Sequence, residues 1–319
     1  MSFQIGGDVD KRNLIKPFTL LNYSQFFWGA IMIPESRKKN DREDKDGLFP
    51  KPPSVRIVKG RPALAKARIC NTHIVLPAYN EEESLPPLLK RLASINNHSG
   101  EIFVWVVDDG SVDNTAAIVL DGAPGLTVRL LSHQKNLGLG QALMTGIIAV
   151  LQKALDDDVV VVMDADDTHD VSVIDSMINL IKAGADIAVA SRFVSGGDDS
   201  TAPLFRRILS RGATLVFRAL LPVKEINDFT SGYRAYRVGL LRRAVRHWGE
   251  RLVEEQGFAC MVELLLKLRF LNPSICETPL ILRYDRKQGS SKLKLVRTMF
   301  QYFKLAIRDR LSPIPLREI

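Results

Sequence analysis

Four carboxylates fall within seven positions of the stretch VVVVMDADDTHD, residues 159–170: Asp164, Asp166, Asp167 and Asp170. Like charges this close repel one another unless something positive stands among them. Asp164 and Asp166 are two apart and follow an apolar run directly, so on an extended segment both side chains face one side. A solvated acidic turn is the plainer alternative, because Asp is a common turn residue. Further polar knots occur along the chain: PAYNEEE (77–83), DDGSVDNT (108–115), HQKNLGLG (133–140) and SRFVSGG (191–197). Each is rich in side chains that bind phosphate, ribose or metal.

Each knot follows an expected strand. THIVLP, IFVWVVDD, LTVRLLS, DVVVVMD and ADIAVASR are short, nearly continuous apolar runs. Between them lie segments with helical spacing: EEESLPPLLKRLASI, GSVDNTAAIVL with Asp113 or Ser111 placed to cap, the Gly-opened NLGLGQALMTGIIAVLQKAL, and VSVIDSMINLIKAG. Apolar strands alternating with amphipathic helices imply an α/β fold with a mostly parallel sheet covered on both faces. From about residue 201 the chain reads as helix-rich, with one expected strand in ICETPLILRY. Ligands of such sheets bind beyond the carboxyl ends of the strands. Five polar knots in register there point to a nucleotide site.

Charge is divided along the chain. Residues 1–68 carry +7, residues 69–201 carry −12 and residues 202–319 carry +13. An acidic half followed by a basic half suggests a metal site facing a phosphate-rich ligand. Nucleic-acid binding is not expected, since no aromatic-interleaved or known nucleic-acid motif accompanies the basic half. Cys70, Cys260 and Cys276 lack paired or metal-like spacing, which suggests buried thiols in a reducing compartment. No stretch of about 18 apolar residues promises a spanning helix, and the N-terminal residues lack a signal-peptide plan. A cytoplasmic protein is expected, with membrane association on the cytoplasmic face as a further expectation.

LPAYNEEESL, VVDDGSVDNT, NLGLGQALMTG, MDADDTHD, SRFVSGG, NDFTSGYRAYR and RYDRKQGSSKLKL together resemble glycosyltransferase family two, and within it the polyprenyl-phosphate sugar transferases such as the dolichol-phosphate mannose synthases. The resemblance runs from about residue 72 to 295. It implies a GT-A fold and inverting, metal-dependent transfer of a sugar from a GDP- or UDP-linked donor to a lipid phosphate, with mannose from GDP-mannose the best match. It divides the chain into an irregular extension (1–68), a nucleotide-sugar half (69–192), an acceptor half (193–291) and a basic amphipathic helix with tail (292–319).

The resemblance assigns roles by position. Asp166 binds Mg²⁺ or Mn²⁺, hard cations that suit carboxylate oxygen, and Asp164 contacts the metal or the ribose, with Ala165 between them. Relatives commonly carry Gln two residues after the second Asp. Thr168 stands there in this chain, so coordination involves more water, or His169 moves in, or His169 is a plain loop residue. Pro77, Ala78, Tyr79 and Glu81 lie along base and ribose, although Tyr79 also suits a core position. Asp109 accepts from a base ring N–H and Asp108 is structural. Lys135 with Gly138 and Gly140 allows close approach to the nucleotide. Arg192, Arg206 and Ser210 take the acceptor phosphate, for which planar guanidinium donors are matched. Arg286 and Lys292 close over the diphosphate. Arg207, Arg211, Arg242 and Arg243 are expected on solvated faces.

A sugar hydroxyl needs a general base, whereas a phosphate monoester, with a second pKa of about 6, is already ionised near neutral pH. Glu254 and Glu255 occupy the region where hydroxyl-using relatives keep a base, but the local text follows the lipid-phosphate pattern. A phosphate nucleophile without an essential base is therefore expected. A soluble hydroxyl acceptor is the alternative, and a non-catalytic nucleotide-sugar or nucleic-acid binding protein is a third reading opposed by the intact DAD and RKQGSSKL. In KLKLVRTMFQYFKLAIRDRL (292–311), Leu295, Val296, Met299, Phe300, Phe303, Ile307 and Leu311 form one apolar stripe among cations. That pattern suits an interfacial membrane helix and equally a helix packed on its own domain.

Overall fold

The computed structural model describes residues 70–95, 100–220, 226–287 and 295–311. The expected extension 1–68 and Lys292 lie outside them. The apolar runs form strands β1 (Thr72–Ala78), β2 (Ile102–Asp108), β3 (Thr127–Ser132), β4 (Val159–Val162) and β5 (Ile187–Ser191), joined later by β6 (Arg234–Arg237) and β7 (Ile275–Pro279). They make one sheet in the order β3-β2-β1-β4-β6-β5-β7. Only β6 runs against its neighbours β4 and β5. The helices are α1 (Leu85–Ala93), α2 (Thr115–Asp121), α3 (Leu139–Leu151), α4 (Val173–Lys182), α5 (Leu204–Leu220), α6 (Val238–Trp248), α7 (Ala259–Leu268) and α8 (Leu295–Leu311).

Strands β1, β2, β4 and β5 are nearly continuously apolar because both faces of the sheet are covered there. Val75, Val107, Val160 and Val162 pack with Leu143 and Ile147 of α3, Leu241 of α6 and Leu264 of α7. Their sequence neighbours Ile74, Leu76, Val106, Val159 and Val161 point the other way, onto Leu88 and Leu89 of α1 and Ile174 and Ile178 of α4. Each fully buried Val or Leu contributes roughly 1.5–3 kcal/mol, which fixes the register strongly. That register brings Ala78 beside Asp108 and Asp108 beside Ser132. Tyr79, Asp109 and His133, the next residues on each strand, therefore emerge at one edge of the sheet.

Local chemistry sets the element ends. Prolines 86 and 87 sit in the first turn of α1, where their missing N–H groups leave no bond unmade. Helix α2 begins two residues after Asp113, and Asn114 is its cap position, with no side-chain cap bond. Asp113 instead accepts the Thr115 N–H at 3.0 Å and the Glu82 N–H at 3.2 Å. It therefore ties the second knot to the first.

Strand β6 is absent from the sequence reading. Its four residues, RAYR, include two arginines, and Arg234 is fully buried. Burial is tolerated because Nη1 donates to the Met261 carbonyl at 2.6 Å and Nη2 to that of Phe229 at 2.7 Å. The solvated placement expected for Arg207 and Arg242 is also corrected, whereas Arg211 is exposed as expected. Arg207 Nε and Arg211 Nη2 both donate to Oδ1 of buried Asp199, at 3.2 and 3.0 Å. Arg242 donates to the Leu151 and Ala154 carbonyls at 2.9 and 2.7 Å, covering the end of α3. Arg243 is exposed as expected.

Helix α8 packs on the domain through a different stripe from the apolar one. Thr298, Tyr302, Leu305, Ala306 and Asp309 are buried, and Asp309 pairs with buried Arg269 at 2.7 Å. Phe300 and Phe303 remain 69% and 52% exposed. Among the described residues no helix is long and apolar enough to cross a membrane.

Candidate active site

A cleft of about 960 Å³ opens at the carboxyl ends of β1, β2, β4 and β5. It gathers Pro77, Ala78, Tyr79, Glu81, Asp109, Lys135, Gly138, Asp164, Ala165, Asp166, Thr168, His169, Arg192, Arg206 and Ser210. Arg286 is not among the lining residues. Lys287, unassigned from the sequence, lines the cleft in its place.

The four clustered carboxylates have separate duties. Asp167 turns away with a left-handed backbone (φ 60°) and pairs with Arg91 of α1. Asp170 accepts the Ser172 N–H and Oγ–H at 3.0 and 2.9 Å, ahead of α4. Asp164 and Asp166 face the cleft. Asp166 Oδ1 accepts Thr168 Oγ1–H at 2.7 Å, and its Oδ2 is paired with the Lys287 ammonium. Desolvation pushes the Asp166 carboxyl up, but Lys287 beside it holds it below the usual range. Asp164 is pushed above that range by desolvation and by the Asp166 charge, against the opposing pull of His169.

Thr168 and His169 thus fix the two aspartates in position. The His169 ring stacks on Tyr233, with centroids 4.7 Å apart, and its Nδ1 accepts the Asp164 N–H at 3.3 Å. Among the described residues no group of three or more His, Cys, Asp or Glu side chains is arranged to hold a metal ion. Two oxygen-bearing side chains suit a magnesium-like ion, which keeps several waters and completes its shell with substrate phosphates.

Asp109 organises one end of the cleft. Its Oδ1 accepts the Leu137 N–H at 2.9 Å and meets His133 Nδ1 at 2.7 Å, while Oδ2 accepts the Gly138 N–H at 2.8 Å. Three of its about four acceptor positions are occupied. His133 was invisible as a site residue, although the β2–β3 register, which aligns the residues after Asp108 and Ser132, carries that signal. Asp108 accepts the Ser111 N–H at 2.9 Å, the structural role expected of it. Tyr79 is half-buried at the cleft rather than in the core. The backbone that approaches Gly138 and Gly140 is the chain's own. A Cβ on Gly140 would lie 2.0 Å from the Glu255 carbonyl, and one on Gly138 (φ 96°) would lie 2.7 Å from that of Gln256. These glycines therefore admit the 255–256 loop, and Gln256 also lines the cleft.

The other end is basic and rich in hydroxyl groups. Arg192 grips buried Asp228 through Nε at 2.7 Å and Nη2 at 2.8 Å, and Nη2 also reaches Thr230 Oγ1 at 2.7 Å. The Ser210 and Thr230 hydroxyls are 2.8 Å apart. Arg206, one turn before Ser210 on α5, donates to Tyr284 Oη at 3.0 Å and lies over its ring. The partners Asp228 and Thr230 belong to NDFTSG, a motif that the sequence marks without assigning individual roles.

Residues 73–244 match the model of the family described as Glycosyl transferase family 2. Over 233 residues the chain is 35% identical to a dolichol-phosphate mannosyltransferase of Pyrococcus furiosus, with 72% of this chain and 61% of that protein covered. It thus spans about three fifths of that relative's length. Over 246 residues it is 32% identical to a polyprenol monophosphomannose synthase of Mycolicibacterium smegmatis, covering 76% of this chain and 89% of the other. Among solved structures, glucosyl-3-phosphoglycerate synthase from Mycobacterium tuberculosis in complex with Mg²⁺ and UDP superposes with a TM-score of 0.53 at 18% identity, covering 76% of this chain and 79% of that one. That likeness speaks for the fold.

Proposed function

The chain belongs to glycosyltransferase family 2 and has its GT-A fold, and from that premise we propose that it transfers a sugar from a nucleotide donor to a polyprenyl phosphate, with inversion. Mannose from GDP-mannose is the donor that accords with the names of its relatives. The observation that carries this reading is the polarity of the cleft, with paired aspartates at one end and Arg192, Arg206 and two hydroxyls at the other. In that arrangement Asp164 and Asp166 would hold a divalent metal, which would neutralise charge on the departing diphosphate. Arg206, Ser210 and the free edge of Arg192 orient the acceptor phosphate. One of its oxygens attacks the anomeric carbon from the face opposite the diphosphate, and the carbon–oxygen bond to the diphosphate breaks. No proton has to leave the nucleophile.

The carboxylates near the acceptor end support the absence of a base. Asp199, which lines the cleft, is held by Arg207 and Arg211. Glu254 pairs with Lys267 at 2.9 Å, and although desolvation raises its carboxyl, that partner holds it below its usual range. A general base working near neutral pH needs the opposite shift. Glu255 accepts from Gln301 Nε2 at 3.2 Å, and Glu263 is buried among the Glu254 and Glu255 N–H groups, Lys267 and Arg308. Glu254→Gln and Glu255→Gln are each expected to keep activity within about tenfold of wild type, yielding a β-linked sugar phosphate from an α-linked donor. A loss near a thousandfold in either, at the scale of a lost general base, would favour the hydroxyl acceptor.

A lipid acceptor also gives meaning to exposed apolar side chains. On α5, the helix that carries Arg206 and Ser210, Leu204, Phe205 and Ile208 are each more than half exposed, as are Phe300 and Phe303 on α8. Membrane contact through these residues would keep the acceptor's tail in the bilayer and its phosphate at the cleft. Sedimentation with anionic liposomes is expected, weakened by salt, and sharply reduced in the folded double variant Phe300→Glu, Phe303→Glu. Unchanged sedimentation of that variant removes α8 from the contact.

A further inference from the structure

The family resemblance assigns the diphosphate to Arg286, and its neighbour Lys287 reaches the paired aspartates. Its ammonium is bonded to Asp166 Oδ2, and the two side chains are only 12% and 16% exposed. Arg286 lies close enough to Arg91 to lower that guanidinium's pKa further, beyond the effect of desolvation. The segment bearing Lys287 is tied to the site on the side that precedes the lysine. The Arg283 N–H donates to the Thr168 carbonyl at 2.9 Å, and the Lys287 N–H donates to the Tyr284 carbonyl at 3.2 Å. Tyr284 in turn accepts from Arg206. The turn that carries Lys287 is thus bonded to the site through Arg283 and Tyr284.

We propose that Lys287 is the resident counter-cation of the Asp164–Asp166 seat, bonded to the oxygen that a divalent metal would take, and that metal arriving with the nucleotide diphosphate displaces it. This rests on the functional reading above and deepens it. Two adjacent carboxylates in a half-enclosed cleft repel each other, and a cation beside them relieves that repulsion. A metal alone has to expel the ammonium without giving it a new partner. A metal bound to a diphosphate brings anionic oxygens into the same cleft, to which the ammonium can turn. Lys287 thus disfavours the bare ion and favours the ion together with its nucleotide.

The test is binding of Mn²⁺ alone, followed by electron paramagnetic resonance, without donor or turnover. A cation beside a carboxylate lowers that group's proton affinity by about one to three powers of ten, and a competing metal ion meets the same repulsion. Lys287→Gln is expected to bind Mn²⁺ about tenfold more tightly than wild type. Lys287→Arg, which keeps the charge, is expected to bind like wild type. Arg283→Gln removes a nearby exposed cation paired with Asp285 and is expected to change nothing, which separates direct competition from a general loss of positive charge. Added GDP or UDP is expected to strengthen Mn²⁺ binding more in wild type than in Lys287→Gln. Equal Mn²⁺ affinity in wild type and folded Lys287→Gln overturns the inference while leaving the metal reading intact. No Mn²⁺ binding in any of these proteins, with or without nucleotide, overturns both.

Discussion

Replacing Asp166 with alanine is expected to reduce turnover by about a thousandfold while leaving the fold intact. The size follows from the charge that must be neutralised. A metal acting as Lewis acid supplies several kcal/mol at a departing diphosphate, and about 1.4 kcal/mol corresponds to tenfold in rate. Loss of one of two carboxylates therefore removes two to three powers of ten. The fold is spared because Asp166 sits at the cleft, 16% exposed, and Asp164 remains beside the Lys287 ammonium to balance it. Excess EDTA is expected to abolish transfer in the wild type, and Mn²⁺ or Mg²⁺ to restore it. Full activity in excess chelator, or an active Asp166→Ala variant, contradicts a metal at this seat.

The second large effect is on stability. Asp228 is completely buried, and Arg192 supplies a two-point partner to its carboxylate, which also accepts the Thr230 and Ser231 N–H groups at 3.2 and 3.0 Å. Removing one member of a buried pair strands the other charge, at a cost of about 3–5 kcal/mol. Arg192→Ala is therefore expected to lower the unfolding temperature by roughly 10 °C. Desolvation raises the Asp228 carboxyl, but Arg192 holds it below the usual range. The stabilisation is thus present at neutral pH and fades only as pH falls below about 4, through the depressed native value. Adding Asp228→Asn should recover much of the stability by removing the stranded charge, yet leave activity low if Arg192 also faces the acceptor phosphate. Unfolding of Arg192→Ala within about 2 °C of wild type would show that the pair contributes little.

Much of this was legible in sequence because the physics is local. A strand covered on both faces has to be apolar throughout, so β1, β2, β4 and β5 announce themselves, and the polar knots mark where the sheet edge meets solvent. Strand β6 escapes because its buried Arg234 is satisfied by the Phe229 and Met261 carbonyls, partners that tertiary folding alone supplies. The apolar stripe of α8 misleads for a related reason: Thr298 and Asp309 are buried, and Asp309 finds Arg269, while two phenylalanines stay outside. The glycines of the third knot are needed as read, but the backbone they admit is residues 255–256, more than a hundred positions away. Lys287, which reaches the aspartates, follows by one position the Arg286 that the resemblance assigns to the diphosphate, at the end of the short turn Tyr284–Arg286, and no spacing rule reaches that finely.

The central claim, that a nucleotide-linked sugar passes to a polyprenyl phosphate, is tested most directly by incubating the protein with Mn²⁺ and radiolabelled GDP- and UDP-sugars, each with and without polyprenyl phosphate, and counting label extracted into organic solvent. The expected result is lipid-soluble label from one donor, GDP-mannose first among them, only when the lipid phosphate is present. Label that stays in water with every donor, or that moves to an added soluble hydroxyl acceptor instead, contradicts it.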